Sequence, residues 1–402
     1  MKYTRYAYHL LLIVLGAFMT VSCEQDEPMI DVPEAYSFQR DGQSTVSFSG
    51  QSIRIAMATE LIEAMGDLDV ESELLIEMFR NQTLDGGDVD PFQSAELNQA
   101  TKSISSKVAA SQDYFSSNSV ETAEIRAEFE TWITAQVRET HARARQLAEP
   151  GMAGQIADGS SVRYVSGQGL EYNQAVAKSL IGALMLDQIL NNYLSASVLD
   201  AGDQRRENDE AITAMGKNYT MMEHKWDEAY GYVYGLSPNP DDPLMTLGSG
   251  DPFLSKYISR VEDDTDFQGI LQRIYDAFKL GRAAIVARDY ELRDKQSEIL
   301  RKELSTVIGV RCVYYLQQAK RALASGDTGG AFHDLSEAYG FIYSLRFTRK
   351  ADMPYADRAE IDQYMADLTA NNGFWDVTSE TLDRISADIA DRFDFTLEQA
   401  AN

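Results

Sequence analysis

The chain has 402 residues and a formal net charge of −27, from 36 basic and 63 acidic side chains; 44% of its residues are hydrophobic and 10% aromatic. That is length for two modest domains or one large one, with enough apolar material for a buried core. The acidity excludes nucleic acid as a partner, since displacing phosphate counterions takes a surplus of Lys and Arg. It also excludes an electrostatic grip on anionic lipid and favours a cation.

The first residues read as a targeting segment. Lys2 and Arg5 precede the apolar run "HLLLIVLGAFM", which is too short to span a bilayer. "TVSC" then ends at Cys23 in the manner of a lipobox, although Thr20 departs from the usual Leu. The expectation is a lipoprotein signal peptide over 1–22, lipid on Cys23, and an outer-membrane protein facing the periplasm or the cell surface. An ordinary secretory signal is the alternative. The one other cysteine, Cys312, lies in "VIGVRCVYYL" and is expected to be a buried small hydrophobe.

Residues 23–50 read as a polar tether, with a small hairpin predicted at Asp41-Gly42. From Gln51 on, apolar residues recur at three and four, which predicts helices. They fall in "IRIAMATELIEAM", "ESELLIEMF", 95–114, 120–147, "LEYNQAVAKSLIGALMLDQILNNYL", 203–234, 267–292, 296–323, 329–345, 356–368 and 379–393. "EPGMAGQIADGSS" (149–161) reads as a loop, and "GLSPNPDDPLMTLGSGDP" (235–252) as the clearest irregular segment. No run with strand periodicity competes. The fold expected is all-α, in bundles.

One short phrase occurs twice. "HKWDEAYGYVYGL" begins at His224 and "HDLSEAYGFIYSL" at His333; seven of thirteen positions are identical (His, Glu, Ala, Tyr, Gly, Tyr, Leu). The chain has only four His, so an anchored match of this quality points to duplication. Ile-Gly also recurs in the helix upstream of each copy. The organisation expected is two pseudo-symmetric helical bundles, 51–235 and 266–402, joined by an irregular connection over 236–265. On a helix, His at i and Glu at i+4 share a face, the spacing by which two His grip a metal in H-E-x-x-H. Small residues continue that face, Gly231 and Gly235 in one copy, Gly340 and Ser344 in the other. If the two stripes meet, His224, Glu228, His333 and Glu337 form a two-His, two-carboxylate set suited to iron or zinc. A duplicated buried His–Glu hydrogen bond is the competing reading.

Asp187, Gln188, Asn191 and Asn192 interrupt an apolar helix and are candidates to support such a site. Arg282 and Arg288 are expected in structural pairs. Tyr230/Tyr234 and Tyr339/Tyr343 are expected in the core, phenolate ligation of ferric iron being the minor alternative. His141 is expected to be exposed. Nucleophile elbows, Walker loops, H-E-x-x-H, C-x-x-C and EF-hand spacing are absent from the sequence.

"GLEYNQAVAKSLIGALMLDQILNNYL", "MEHKWDEAYGY" and "LGRAAIVARDY" resemble a family of uncharacterised bacterial envelope lipoproteins, distantly similar to imelysin-like proteins. That resemblance implies two pseudo-symmetric helical bundles, a Gly-x-His-x-x-Glu motif and a part in iron or haem uptake, with an outer-membrane uptake receptor as partner. Here Glu lies four residues after His, not three, and Glu223 rather than Gly lies nearby. The carry-over therefore reaches His224 and Glu228, and the second pair only through the repeat. The function expected is binding of a metal ion or metal-bearing ligand between the bundles by a lipid-anchored envelope protein. An imelysin-type metallopeptidase and a non-catalytic structural or partner-binding lipoprotein are the alternatives.

Overall fold

Asp41 and Gly42 both adopt positive φ, 52° and 74°, as a two-residue hairpin turn demands. They join β1 (Gln39–Arg40) to β2 (Gln43–Ser44), with Gln39 opposite Ser44. The predicted hairpin therefore forms, but the segment around it is no tether. Tyr36 is fully buried, its ring stacked 3.6 Å from that of Tyr230, and its hydroxyl donates to Asp227 at 2.8 Å. The aromatics in "YSFQRDGQSTVSFSG" are core material in a stretch whose polar majority suggested solvent.

The computed structural model describes residues 30–351 and 353–402, so the signal peptide over 1–22 and Cys23 lie outside the described residues. Residues Val32–Asn402 form one compact unit. It is mostly helical, as the spacing of apolar residues predicts. The helices are α1 (Ser49–Ala64), α2 (Ser72–Arg80), α3 (Ala95–Gln99), α4 (Ser119–Ala135), α5 (Tyr172–Leu180), α6 (Ala196–Leu199), α7 (Gln204–Asp209) and α8 (Met221–Tyr234). They continue as α9 (Leu254–Glu262), α10 (Ile270–Ala287), α11 (Tyr290–Ser325), α12 (Thr328–Ser344), α13 (Arg358–Leu368), α14 (Ser379–Arg392) and α15 (Leu397–Ala400). Beyond Leu180 the α5 rod runs on in two π-helical turns, Ile181–Leu186 and Ile189–Tyr193.

Four segments differ from expectation. Over 95–114 only α3 and the 3-10 turn Ser105–Lys107 form, because Ser103 and Ser106 bond the local backbone and Ala109 turns to φ 48°. The run 203–234 breaks between α7 and α8, where Ala211 and Gly216 take positive φ. The 149–161 loop contains β3 (Gly154–Asp158), which pairs antiparallel with β4 (Ser161–Val165) through a turn at Gly159, φ 55°. Within 236–265, α9 buries Leu254, Tyr257, Ile258 and Val261.

The two stripes of small residues do not face each other. Gly231 lies against Phe48 and Gln51, and Ser52 Oγ donates to the Gly235 carbonyl at 2.8 Å, so α8 meets α1. On α12, Ser336 Oγ accepts from Glu171 N at 2.9 Å, Gly340 rests on Ala175 and Lys178, and Ser344 Oγ donates to the Lys178 carbonyl at 2.7 Å. From the other side Gly182 N donates to Ser344 Oγ at 3.0 Å. This stripe seats α12 on the α5 rod, backbone almost against backbone.

A methyl group at position 340 would stand 2.6 Å from Lys178 Cβ and 2.9 Å from the Ala175 carbonyl oxygen. Gly340→Ala should therefore cost about 1–3 kcal/mol of stability, read from urea unfolding. An unchanged midpoint would mean that the two helices are not held at this spacing.

Candidate functional site

The long α11 ends at Gly326 in a left-handed cap, φ 81°, and Asp327 immediately caps α12 by accepting from Gly330 N at 3.0 Å. That tight reversal sets His333, Asp334 and Glu337 in the first turns of α12, beside Arg311, Tyr314 and Tyr315 of α11. The seam with α5 brings Glu171 and Lys178 to the same place.

His333 Nδ1 lies 3.1 Å from Glu171 Oε1, and Nε2 lies 3.7 Å from Glu337 Oε1. The Lys178 ammonium is 3.1 Å from that same Glu337 oxygen. Glu171, Lys178 and Glu337 are all buried. Burial pushes the Glu337 carboxyl up, but the charges of Lys178 and His333 outweigh it and hold the group below its usual range. Burial likewise lowers His333, and its hydrogen bond to Glu171 and the charges of Glu171 and Glu337 outweigh that and raise it. Glu337 Oε2 is buried with no hydrogen-bond partner.

His333 and Glu337 border a cavity of about 620 Å³, walled by α9, α11 and α12. Lys256 and Arg260 enter it from α9, one turn apart, and Arg311 from α11. None of the three forms an ion pair or side-chain hydrogen bond among the described residues. Asp334 also lacks both, and burial, reinforced by Glu337 and Asp327 against His333 and Arg311, lifts its carboxyl to about 7.

The first copy is built from the same residue types and closed. Lys225 lies 3.0 Å from Glu228 Oε2, Gln51 Nε2 donates to Glu228 Oε1 at 2.9 Å, and His224 Nε2 stands 4.0 Å from Glu228. Tyr219 stacks on the His224 ring at 4.5 Å. Burial lowers His224, and the charge of Glu228 does not restore it. In both copies the cation beside the glutamate is a lysine ammonium, which also lies over a buried tyrosine: Lys225 over Tyr193 at 5.2 Å, Lys178 over Tyr257 at 5.4 Å.

The expected four-residue metal site does not assemble. His224 and Glu228 sit against α1, His333 and Glu337 against α5, and no group of three or more His, Cys, Asp or Glu among the described residues is placed to hold a metal ion. Each glutamate has its own lysine, and a positive charge already there repels a metal cation.

The other polar residues singled out in the sequence are structural. Asp187 accepts from Ala110 N and Ser111 N, both at 2.9 Å, and from Asn191 at 3.1 Å, pinning the loop before α4; Asn192 donates to Gln188 at 3.0 Å. Arg282 is fully buried and binds Asp227 at 3.0 Å and Glu223 at 3.2 Å. Arg288 occupies the left-handed cap that ends α10. Burial raises the phenols of Tyr230, Tyr234, Tyr339 and Tyr343, which keeps them protonated. Cys312 is buried and its thiol is pushed up by burial. His141 is half-buried rather than exposed, its Nε2 2.8 Å from Gln136. Sequence reasoning missed Glu171, Lys178, Lys256, Arg260, Arg311 and Asp334 as a group. The i, i+4 pairing of Lys256 and Arg260 in an acidic chain was the one signal there to read.

The histidines should separate on titration. Proton NMR should show His333 titrating above 6.5 and His224 and His141 below it; His224 titrating above His333 would contradict the placement of Glu171. A raised pKa in the folded state contributes stability that is complete below about 6.5 and lost as pH rises through the folded value. The stability gap between wild type and His333→Gln should shrink accordingly on raising the pH. Lys178→Met strands a buried carboxylate and should cost about 3–5 kcal/mol. Replacing Lys178 and Glu337 together by Met should cost less, a comparison that denaturant melts of both variants decide.

No curated protein and no solved structure matches the chain. A family model described as a domain of unknown function (DUF4856) matches residues 33–396. The match spans both His/Glu helices and the cavity, and the chain belongs to that family.

Proposed function

We propose that this protein binds a small polar ligand in the cavity beside His333, and that it does so at the cell envelope from a lipid anchor at Cys23. The observation that carries the reading is one wall of one cavity: Arg311 Nε buried without an acceptor and Glu337 Oε2 buried without a donor, beside Lys256, Arg260 and Asp334, which form no ion pair. Buried polar groups are almost always satisfied within a protein, and a cavity of this size takes a small metabolite. The lysine beside each glutamate argues for a ligand other than a bare metal ion.

The two copies fit an internal duplication of imelysin-like kind in which one site is kept open and the other filled. The same four residue types (His, Glu, Lys and Tyr) meet in both; in the first copy Tyr219 stacks on the histidine, and in the second the histidine borders the cavity. Binding is favoured over catalysis because the wall offers fixed charges rather than an activated nucleophile: His333 is tied between Glu171 and Glu337. Delivery of the ligand to an outer-membrane uptake partner would follow from the anchor.

A low-molecular-mass extract of the source cells should raise the Tm of the purified protein, since a ligand that binds only the folded state stabilises it. Asp334→Phe places an apolar ring in the cavity without adding a cation and should abolish the rise while leaving the Tm without extract near that of wild type. An extract that moves neither protein, or both equally, would overturn the assignment of the cavity.

A further inference from the structure

We infer that the ligand of this cavity carries an oxyanion, phosphoryl or carboxylate, gripped by Arg311 and Lys256 with Arg260 at the mouth. The inference rests on the binding reading above and adds the chemistry of the group that is recognised.

The chain has 63 acidic side chains and only 36 basic ones. A cation in such a protein has many carboxylates to choose from, yet three that share one cavity have none. Arg311 is the most telling, because it is 6% exposed and its Nε is buried without an acceptor. Its guanidinium lies 3.9 Å from the Tyr314 ring centroid and 4.6 Å from that of Tyr315. Stacking occupies the faces of a guanidinium and leaves its edge, where the N–H donors lie, for a planar or tetrahedral oxyanion. Burial, then repulsion from Lys178, Arg260 and Arg311, lowers the Lys256 ammonium against the pull of Glu337, as expected where cations crowd without an anion between them.

The acids nearby do not pair with these three cations. Glu171 is committed to His333 and Glu337 to Lys178. Asp334 has its carboxyl lifted to about 7, so it is only partly ionised at neutral pH. Asp263 and Asp264 stand in the turn after α9 and form no ion pair with the three cations; one Asp264 oxygen accepts from Asp266 N instead. The three cations thus have no carboxylate in direct contact, and the buried, unpaired edge of Arg311 is the donor set that an oxyanion in the cavity would meet.

The test is a titration of the purified protein with sodium phosphate and with sodium acetate at low ionic strength, read by Tm and by calorimetry. Either salt should bind to wild type, and its affinity should fall about tenfold in Arg311→Gln and about threefold in Arg260→Gln. Arg260 is exposed, so its variant keeps the fold if Arg311→Gln does not. Phosphate far above acetate identifies a phosphate ester as the natural ligand, and comparable affinities identify a carboxylate; both support the proposal. Wild type and Arg260→Gln responding alike to both anions overturns it. In that event a cell extract that still raises the Tm of wild type but not of Asp334→Phe leaves the cavity as a site for a ligand of another charge. An extract without that effect removes both readings together.

Discussion

Everything at the site depends on how closely α12 approaches the α5 rod. Ser336, Gly340 and Ser344 repeat every four residues and so form one stripe on α12, and that stripe replaces side-chain packing by backbone contact and two serine hydroxyls. At this distance Glu171 reaches His333 and Lys178 reaches Glu337. Separated by the width of ordinary side chains, the two glutamates would be buried charges without partners, each costing several kcal/mol. The seam thus allows a charged cluster to exist inside the protein at all, and the cluster in turn fixes which groups remain free to face the cavity.

The two copies of the repeated phrase show how little of a site a local sequence contains. His224 and His333 begin nearly the same thirteen residues, and each has a glutamate one turn on and a lysine beside it. Their titration is shifted in opposite directions because the groups that differ come from elsewhere in the chain. Burial lowers both rings, but Glu171 hydrogen-bonds His333 and raises it, whereas His224 has no such partner and the Lys225 charge lowers it further. One copy of the phrase lies at a junction with α1 and the other at the wall of a cavity.

The segment ahead of α1 packs on the face of α8 next to the His224 and Glu228 pair. Tyr36, Arg40, Thr45 and Ser47 all reach the acid pair of α8: Tyr36 and Ser47 bond Asp227, Arg40 bonds Glu223, and Thr45 binds the Arg282 that joins both acids. Glu223 also closes a capping box with Thr220, so the residue before His224 starts its helix and anchors the N-terminal hairpin at once. The family match begins at residue 33 and takes in this segment.

Local order is what the sequence by itself determined. Apolar spacing located nine of the eleven expected helical segments, the Asp-Gly pair located the first hairpin, and the repeated phrase marked the two helices that carry His and Glu. Spacing and turn chemistry act over a few residues, so a single sequence can display them. The tertiary structure alone decided which helix each small-residue stripe would meet. The twofold meeting suggested by the repeat would have made a metal site; the meetings with α1 and α5 put a lysine against each glutamate instead. It also alone decided that Arg311, Lys256 and Arg260 share a cavity. Their positions, 55 residues apart at most, carry no common pattern, and an unpaired charge is defined by what fails to come near it, which only the packed chain determines.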